Sequence, residues 1–229
     1  MRKEYGIAGK RCVRYGDEEA GVHLIQPADS HEWELLDREW ENLRRLAPRE
    51  AFSLTAFLVE DWNRELSPWE APPVFGSQGF GSGAAETLAW IEEALLPACG
   101  NGSAFLGGYS LAGLFALWSA CQTERFAGVA AVSPSVWFPG WAEYAGERRC
   151  LSPRVYLSLG DREERTRNAR MASVGERIRA EYVRLARTCD CTLERNPGNH
   201  FREPELRTAR GFAWLLAGCP AEKQAPDTL

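Results

Sequence analysis

Apolar positions along the chain fall into two periods. Short segments with strand length and mostly apolar side chains lie at residues 22–25, 52–59, 103–106, 126–132, 155–159 and 191–194, and Pro27 is expected to close the first of them. Between them lie longer stretches whose apolar residues recur every three or four positions. The clearest is 32–46, with Trp33, Leu36, Trp40, Leu43 and Ala47 on one face and Pro48 as its stop. Further helices are predicted at 87–96, ended by Pro97 and Gly100, and at 111–121, 171–188 and 205–216. The segment 111–121 is apolar nearly all round, as a fully buried helix would be, and the last helix carries Leu206, Phe212 and Leu215 as its stripe. Strands alternating with crossover helices predict an α/β fold with a mainly parallel central sheet and helices on both faces.

Two segments fit neither period. Residues 60–83 hold Pro68, Pro72, Pro73 and four glycines, and residues 133–149 are rich in aromatic side chains. Loops of such length in a compact domain are usually functional. The glycines from Gly79 to Gly83 follow prolines rather than a strand, which argues against a dinucleotide-binding turn. The polar tail at 220–229 is expected to be frayed.

Composition narrows the classes. With 32 acidic residues, 27 Lys or Arg and a formal charge of −5, the chain lacks the clustered basic residues that phosphate-backbone binding needs. Its richest basic stretch, Arg162 to Arg170, is interleaved with Glu163 and Glu164 and reads as a solvated face. A chain of 229 residues should bury roughly 70–75% of its unfolded surface, enough for one domain covering residues 1–229 without metals or disulfides. The opening residues lack the apolar core of a secretory signal, and no apolar run approaches the roughly 20 residues of a membrane span. Seven cysteines include no CxxC pair. The expectation is a cytoplasmic monomer or homodimer with neither membrane nor nucleic acid as a partner.

The chemistry concentrates at Leu106-Gly107-Gly108-Tyr109-Ser110-Leu111-Ala112-Gly113, a strand that breaks into glycines and a serine before a helix begins. This resembles the nucleophile elbow of α/β-hydrolases, where the serine sits on a strained strand-to-helix turn and its neighbours two positions away must be small. Gly108 and Ala112 meet that demand, Ala112 replacing the commoner glycine. A serine hydroxyl needs a general base, and the chain has three histidines. His23 and His31 precede the elbow, whereas His200 lies in a turn-forming loop after the last strand, where the superfamily's order of serine, acid, histidine puts the base.

The acid should follow the strand at 155–159, where Gly160-Asp161-Arg162-Glu163-Glu164 offers three carboxylates. The resemblance favours Glu163, three residues after the glycine, with Asp161 as the alternative; Asp161 could instead cap the turn. An oxyanion hole would draw one amide from Leu111 and a second from Trp62 or Asn63 in the loop after an earlier strand.

Several further pieces resemble one esterase family of α/β-hydrolases, that of S-formylglutathione hydrolases and enterochelin-esterase-like enzymes, which open siderophore trilactones. They are Arg64-Glu65-Leu66-Ser67-Pro68, Glu93-Ala94-Leu95-Leu96-Pro97, the elbow itself, Ser133-Pro134-Ser135-Val136-Trp137 and Gly198-Asn199-His200, spread over residues 55–216. The resemblance implies a single-domain α/β-hydrolase without a large cap and a carboxylic ester hydrolase that uses no metal or organic cofactor. It leaves open whether a triad or a Ser110–His200 dyad operates. An acyltransferase with the same acyl-enzyme and a non-catalytic binding protein remain the alternatives. Trp62, Trp69, Trp137, Phe138 and Trp141 fall in loops after strands, the edge where open α/β folds bind ligands. Trp69, Trp137 and Tyr109 are therefore candidate contacts for a small-molecule ester, the other reading of the tryptophans being an upper layer of core. Arg64 reads first as a structural ion-pair partner, the other reading being a contact for an acidic group of the substrate.

Overall fold

The computed structural model describes residues 2–17, 19–48, 51–74 and 76–218, so the predicted frayed tail lies outside the described residues. In chain order the elements are β1 (Arg2–Ile7), β2 (Lys10–Gly16), β3 (Val22–Ala28), α1 (Ser30–Leu46), β4 (Ser53–Leu58), α2 (Trp62–Glu65) and α3 (Ala84–Trp90). A π-helical turn at Ile91–Leu95 joins α3 to α4 (Leu96–Cys99). Then come β5 (Ser103–Tyr109), α5 (Leu111–Ser119), β6 (Phe126–Val132), α6 (Trp141–Glu147), β7 (Arg154–Gly160), α7 (Ala169–Ala172), α8 (Val174–Leu185), β8 (Asp190–Asn196) and α9 (Pro204–Leu216).

The strands form one eight-stranded sheet in the order β1-β2-β4-β3-β5-β6-β7-β8. The six from β4 to β8 run parallel, and β1 and β2 extend the sheet antiparallel. Each face carries a core. Leu36, Leu43, Phe52, Tyr156 and Phe212 pack beneath α1 and α9. Phe57, Ile91, Leu114, Phe115, Leu157 and Ile178 pack beneath the helices of the other face. The predicted mainly parallel sheet with helices on both faces is the observed architecture.

Several local readings change. The hairpin of β1 and β2 carries no apolar run, and Ala8 and Gly9, both at positive φ, make its two-residue turn. Its inward polar side chain, Arg14, finds partners that only the fold supplies, the Thr55 hydroxyl at 3.2 Å and the Ala98 carbonyl at 3.0 Å. Pro27 does not end its strand but lies within β3, paired with Phe57. Pro97 likewise lies inside α4; it has no N–H to give the turn before it, and the wider π-turn sits directly N-terminal to it. The predicted helix at 171–188 divides at Ser173.

The C-terminal ends of the parallel strands are the edge where the chemistry gathers. There β5 turns into α5 so tightly that a Cβ on Gly108 would lie 2.5 Å from the Ala112 Cβ. An alanine at position 112 is therefore accommodated by the bare backbone at 108. Gly108→Ala is expected to destabilise the protein by about 1–3 kcal/mol through overpacking. Adding Ala112→Gly should recover part of that loss, read as a favourable coupling in a urea-denaturation double-mutant cycle; purely additive effects would contradict this packing.

Candidate active site

Ser110 caps α5 with φ 57° and ψ −116°, a conformation that a non-glycine residue rarely adopts. Three backbone bonds hold it there. The Ser110 amide donates to Val132 O at 2.9 Å, and its carbonyl accepts from the amides of Ser135 at 3.0 Å and Leu114 at 3.1 Å. A strained backbone of this kind persists only when its surroundings over-determine it, at a cost of about 1–3 kcal/mol. The turn lifts the hydroxyl above the sheet edge.

The hydroxyl meets His200, 90 positions further on: Ser110 Oγ lies 3.0 Å from His200 Nε2. The other ring nitrogen, Nδ1, is 2.7 Å from Glu163 Oε2. An ionised carboxylate only accepts, so Nδ1 carries the proton and Nε2 is left to accept from Ser110. Burial pushes the Glu163 carboxyl up, but the hydrogen bond and charge of His200, the Ser133 hydroxyl and the Gly160 amide outweigh it and hold the group below its ordinary value. Its contribution to stability is thus complete above the ordinary carboxylate range and is lost as pH falls through the lowered value.

Glu163 Oε1 is saturated as well, accepting from Ser133 Oγ and the Gly160 amide at 2.7 Å each and from Arg207 Nη1 at 3.0 Å. Asp161, the alternative acid, is exposed and turned elsewhere; its Oδ1 accepts from the Gly198 amide at 2.7 Å and so caps the turn.

Arg207 was not visible in the sequence. The stripe read for the last helix was Leu206, Phe212 and Leu215, yet Leu206 is only half-buried and Arg207 is 2% exposed. Besides Glu163, its guanidinium donates to the Tyr109 hydroxyl and to the carbonyls of Pro197 and Asn199, all at 3.0 Å. Tyr109 in turn donates to the His200 carbonyl at 2.7 Å. One buried cation therefore ties the serine's neighbour, the acid and the histidine loop together. Ser133, at positive φ, was likewise known only as part of a motif.

Trp62, Asn63 and Leu111 stand at the heads of α2 and α5, where a helix has no internal acceptor for its first amides. Asp61 takes up the next two amides of α2, its side chain accepting from Arg64 at 3.1 Å and its carbonyl from Glu65 at 2.8 Å. The aromatic residues mostly build core. Trp137 and Tyr109 are 6% and 7% exposed, while Trp62 and Trp69 are half-buried. Trp69 donates to the Pro139 carbonyl at 2.8 Å and packs edge-on against Phe138, which also meets Phe80. Arg64 pairs with Glu86 at 3.5 Å, the structural role read from the sequence.

No protein-family model matches the chain, and no curated protein matches it by sequence. Solved structures do. An IroE-like serine hydrolase from Shewanella oneidensis superposes with a TM-score of 0.77 at 14% identity, over 95% of this chain and 80% of that one. The siderophore hydrolase EstA from Aspergillus nidulans gives 0.73 at 20% identity over 94% of each chain. The enterochelin esterase of Shigella flexneri gives 0.68 at 20% identity over 93% of this chain but only 58% of that longer protein. This chain therefore has the α/β-hydrolase fold. Among its described residues no helix is long and apolar enough to cross a membrane.

Arg207→Met should leave Glu163 as an uncompensated buried charge and cost about 3–5 kcal/mol in chemical denaturation at neutral pH. The double variant Glu163→Gln/Arg207→Met should regain much of that, because neither charge then remains. A single variant as stable as the parent would contradict the pairing.

Proposed function

We propose that the protein is a serine hydrolase that cleaves a carboxylic ester through an acyl-enzyme on Ser110. The observation that carries this reading is the continuous hydrogen-bonded chain from Ser110 Oγ through both nitrogens of His200 to Glu163, beginning at a strained serine on a strand-to-helix turn. Folding stability alone does not require that strain.

In the first half-reaction Ser110 Oγ bonds to the ester carbonyl carbon while its proton passes to His200 Nε2. The oxyanion is held by the amide of Leu111 and an amide at the head of α2, from Trp62 or Asn63. His200 then returns the proton to the departing alcohol as the carbon–oxygen bond breaks. Water then bonds to the acyl carbon as its proton passes to Nε2, and that proton is returned to Ser110 Oγ as the acyl–oxygen bond breaks and the acid departs. Glu163 keeps the imidazole in the required tautomer and balances the imidazolium that forms twice in the cycle. These steps use side chains and backbone alone.

The structural neighbours support ester hydrolysis over the alternatives, since those cited carry hydrolase or esterase names. A siderophore ester is one substrate to try first on that basis. With 4-nitrophenyl acetate, Ser110→Ala and His200→Ala should each lower kcat by about 10⁴-fold or more, and Glu163→Gln by about 10²- to 10⁴-fold. Variants that keep the parental rate while remaining folded by circular dichroism would overturn the proposal.

A further inference from the structure

Residues 161–170 read in sequence as a mixed-sign stretch, with three acids among four arginines. The fold separates those charges. Asp161 caps the turn at Gly198, Glu163 neutralises Arg207 and holds His200, and Glu164 pairs with Arg179 and Arg195 at 3.3 Å each. Every acid is thereby committed to the protein. Arg162, Arg165, Arg167 and Arg170 are all exposed, and among the described residues none of their guanidinium groups has an ion pair or hydrogen bond. A protein with a net charge of −5 thus presents four unpaired cations within nine residues.

Their place is set by topology. The segment leaves β7 beside Glu163 and reaches the long loop after β4, where Asn168 Nδ2 donates to the Val74 carbonyl at 2.5 Å. Its start is tied to the loop before His200, where the Arg162 amide donates to the Gly198 carbonyl at 3.0 Å. Other acids in the loops and turns that follow the strands are mostly occupied. Glu203 pairs with Arg202, Asp61 caps α2, and Glu65 holds Lys10 and the amides of Glu60 and Asp61. Glu70, on the loop after β4, is exposed. Phe201, which follows His200, is 85% exposed, its ring edge-on to His200 at 5.5 Å.

In the proposed mechanism His200 gives its proton to the leaving alcohol, so the alcohol half of the ester departs past His200. We infer that the site selects esters whose alcohol half carries an oxyanion group, a carboxylate or phosphate, received by Arg165, Arg167 and Arg170. This deepens the reading of Ser110 as the nucleophile and rests on it. Guanidinium groups suit such anions because their planar donors match two oxygens at once. Exposed pairs are individually weak, so discrimination arises from several acting together and from steering of the encounter.

The matched probes are 3-acetoxybenzoate and 3-acetoxybenzamide, equal in size and differing by one charge on the alcohol half. The parent protein should prefer the anion by about tenfold in kcat/KM at low salt. The triple variant Arg165→Gln/Arg167→Gln/Arg170→Gln should bring the two esters near parity, chiefly through KM, with the amide's rate unchanged. Raising salt to about 0.5 M should shrink the parental preference in the same direction, because it shortens the screening length. Parity in the parent, or a preference that survives in the triple variant, overturns the inference. Turnover of neither ester, or turnover that persists in Ser110→Ala, overturns the esterase reading instead. Calorimetric binding of 3-hydroxybenzoate against 3-hydroxybenzamide then decides the anion site separately: binding of the anion alone that is lost in the triple variant supports it, and equal binding refutes it.

Discussion

A guanidinium buried at the C-terminal edge of a sheet must be neutralised where it lies, and Arg207 is neutralised by Glu163 at 3.0 Å with both side chains 3% exposed. Desolvating two charges is costly, and such a pair contributes little net stability over an apolar pair of the same volume. What it supplies here is position. Arg207 reaches back from α9 to the two carbonyls that shape the loop before His200 and to the tyrosine hydroxyl beside Ser110. The acid's second oxygen is then free to meet the imidazole. Three strand ends and the final helix are thereby set by one cation, and the Ser110–His200–Glu163 geometry depends on it.

That arrangement explains what could and could not be read beforehand. Ser110 was legible because its demand is local: a positive φ on a tight turn requires small residues two positions away, and Gly108 and Ala112 stand there. His200 was legible by scarcity and by its place after the last strand. The choice of Glu163 over Asp161 came from resemblance, and its physical ground is that Asp161 turns to the Gly198 amide while Glu163 lies on the buried side of the same loop. Arg207 left no local trace. Its partners lie 8 to 98 positions away, and an arginine in the first turn of a helix that also carries Glu205 and Arg210 looks like surface until the sheet edge is assembled. The same holds for the first hairpin, whose polar residues find their partners only in the sheet.

The aromatic loops illustrate a competition between recognition and packing. A domain without a large cap must close its upper layer with the loops themselves, and Phe80, Trp137 and Phe138 do so by packing on one another. Much of the apolar surface that the sequence suggested for a substrate is spent on that layer. Of the other residues in the loops after the strands, Trp62 and Trp69 are half-buried, and Phe201 and the arginines of residues 161–170 are exposed. In the anion recognition proposed above, charge acts from the surface, where solvent weakens each contact and salt screens the attraction.

The central claim is that Ser110 is a nucleophile made reactive by His200. A fluorophosphonate reporter reacts with such a serine and with few others, so peptide mapping by mass spectrometry after labelling tests the claim directly. The proposed mechanism predicts stoichiometric modification at Ser110, absent in Ser110→Ala and greatly slowed in His200→Ala. Labelling at another residue, or none under conditions that saturate a control serine esterase, would contradict it.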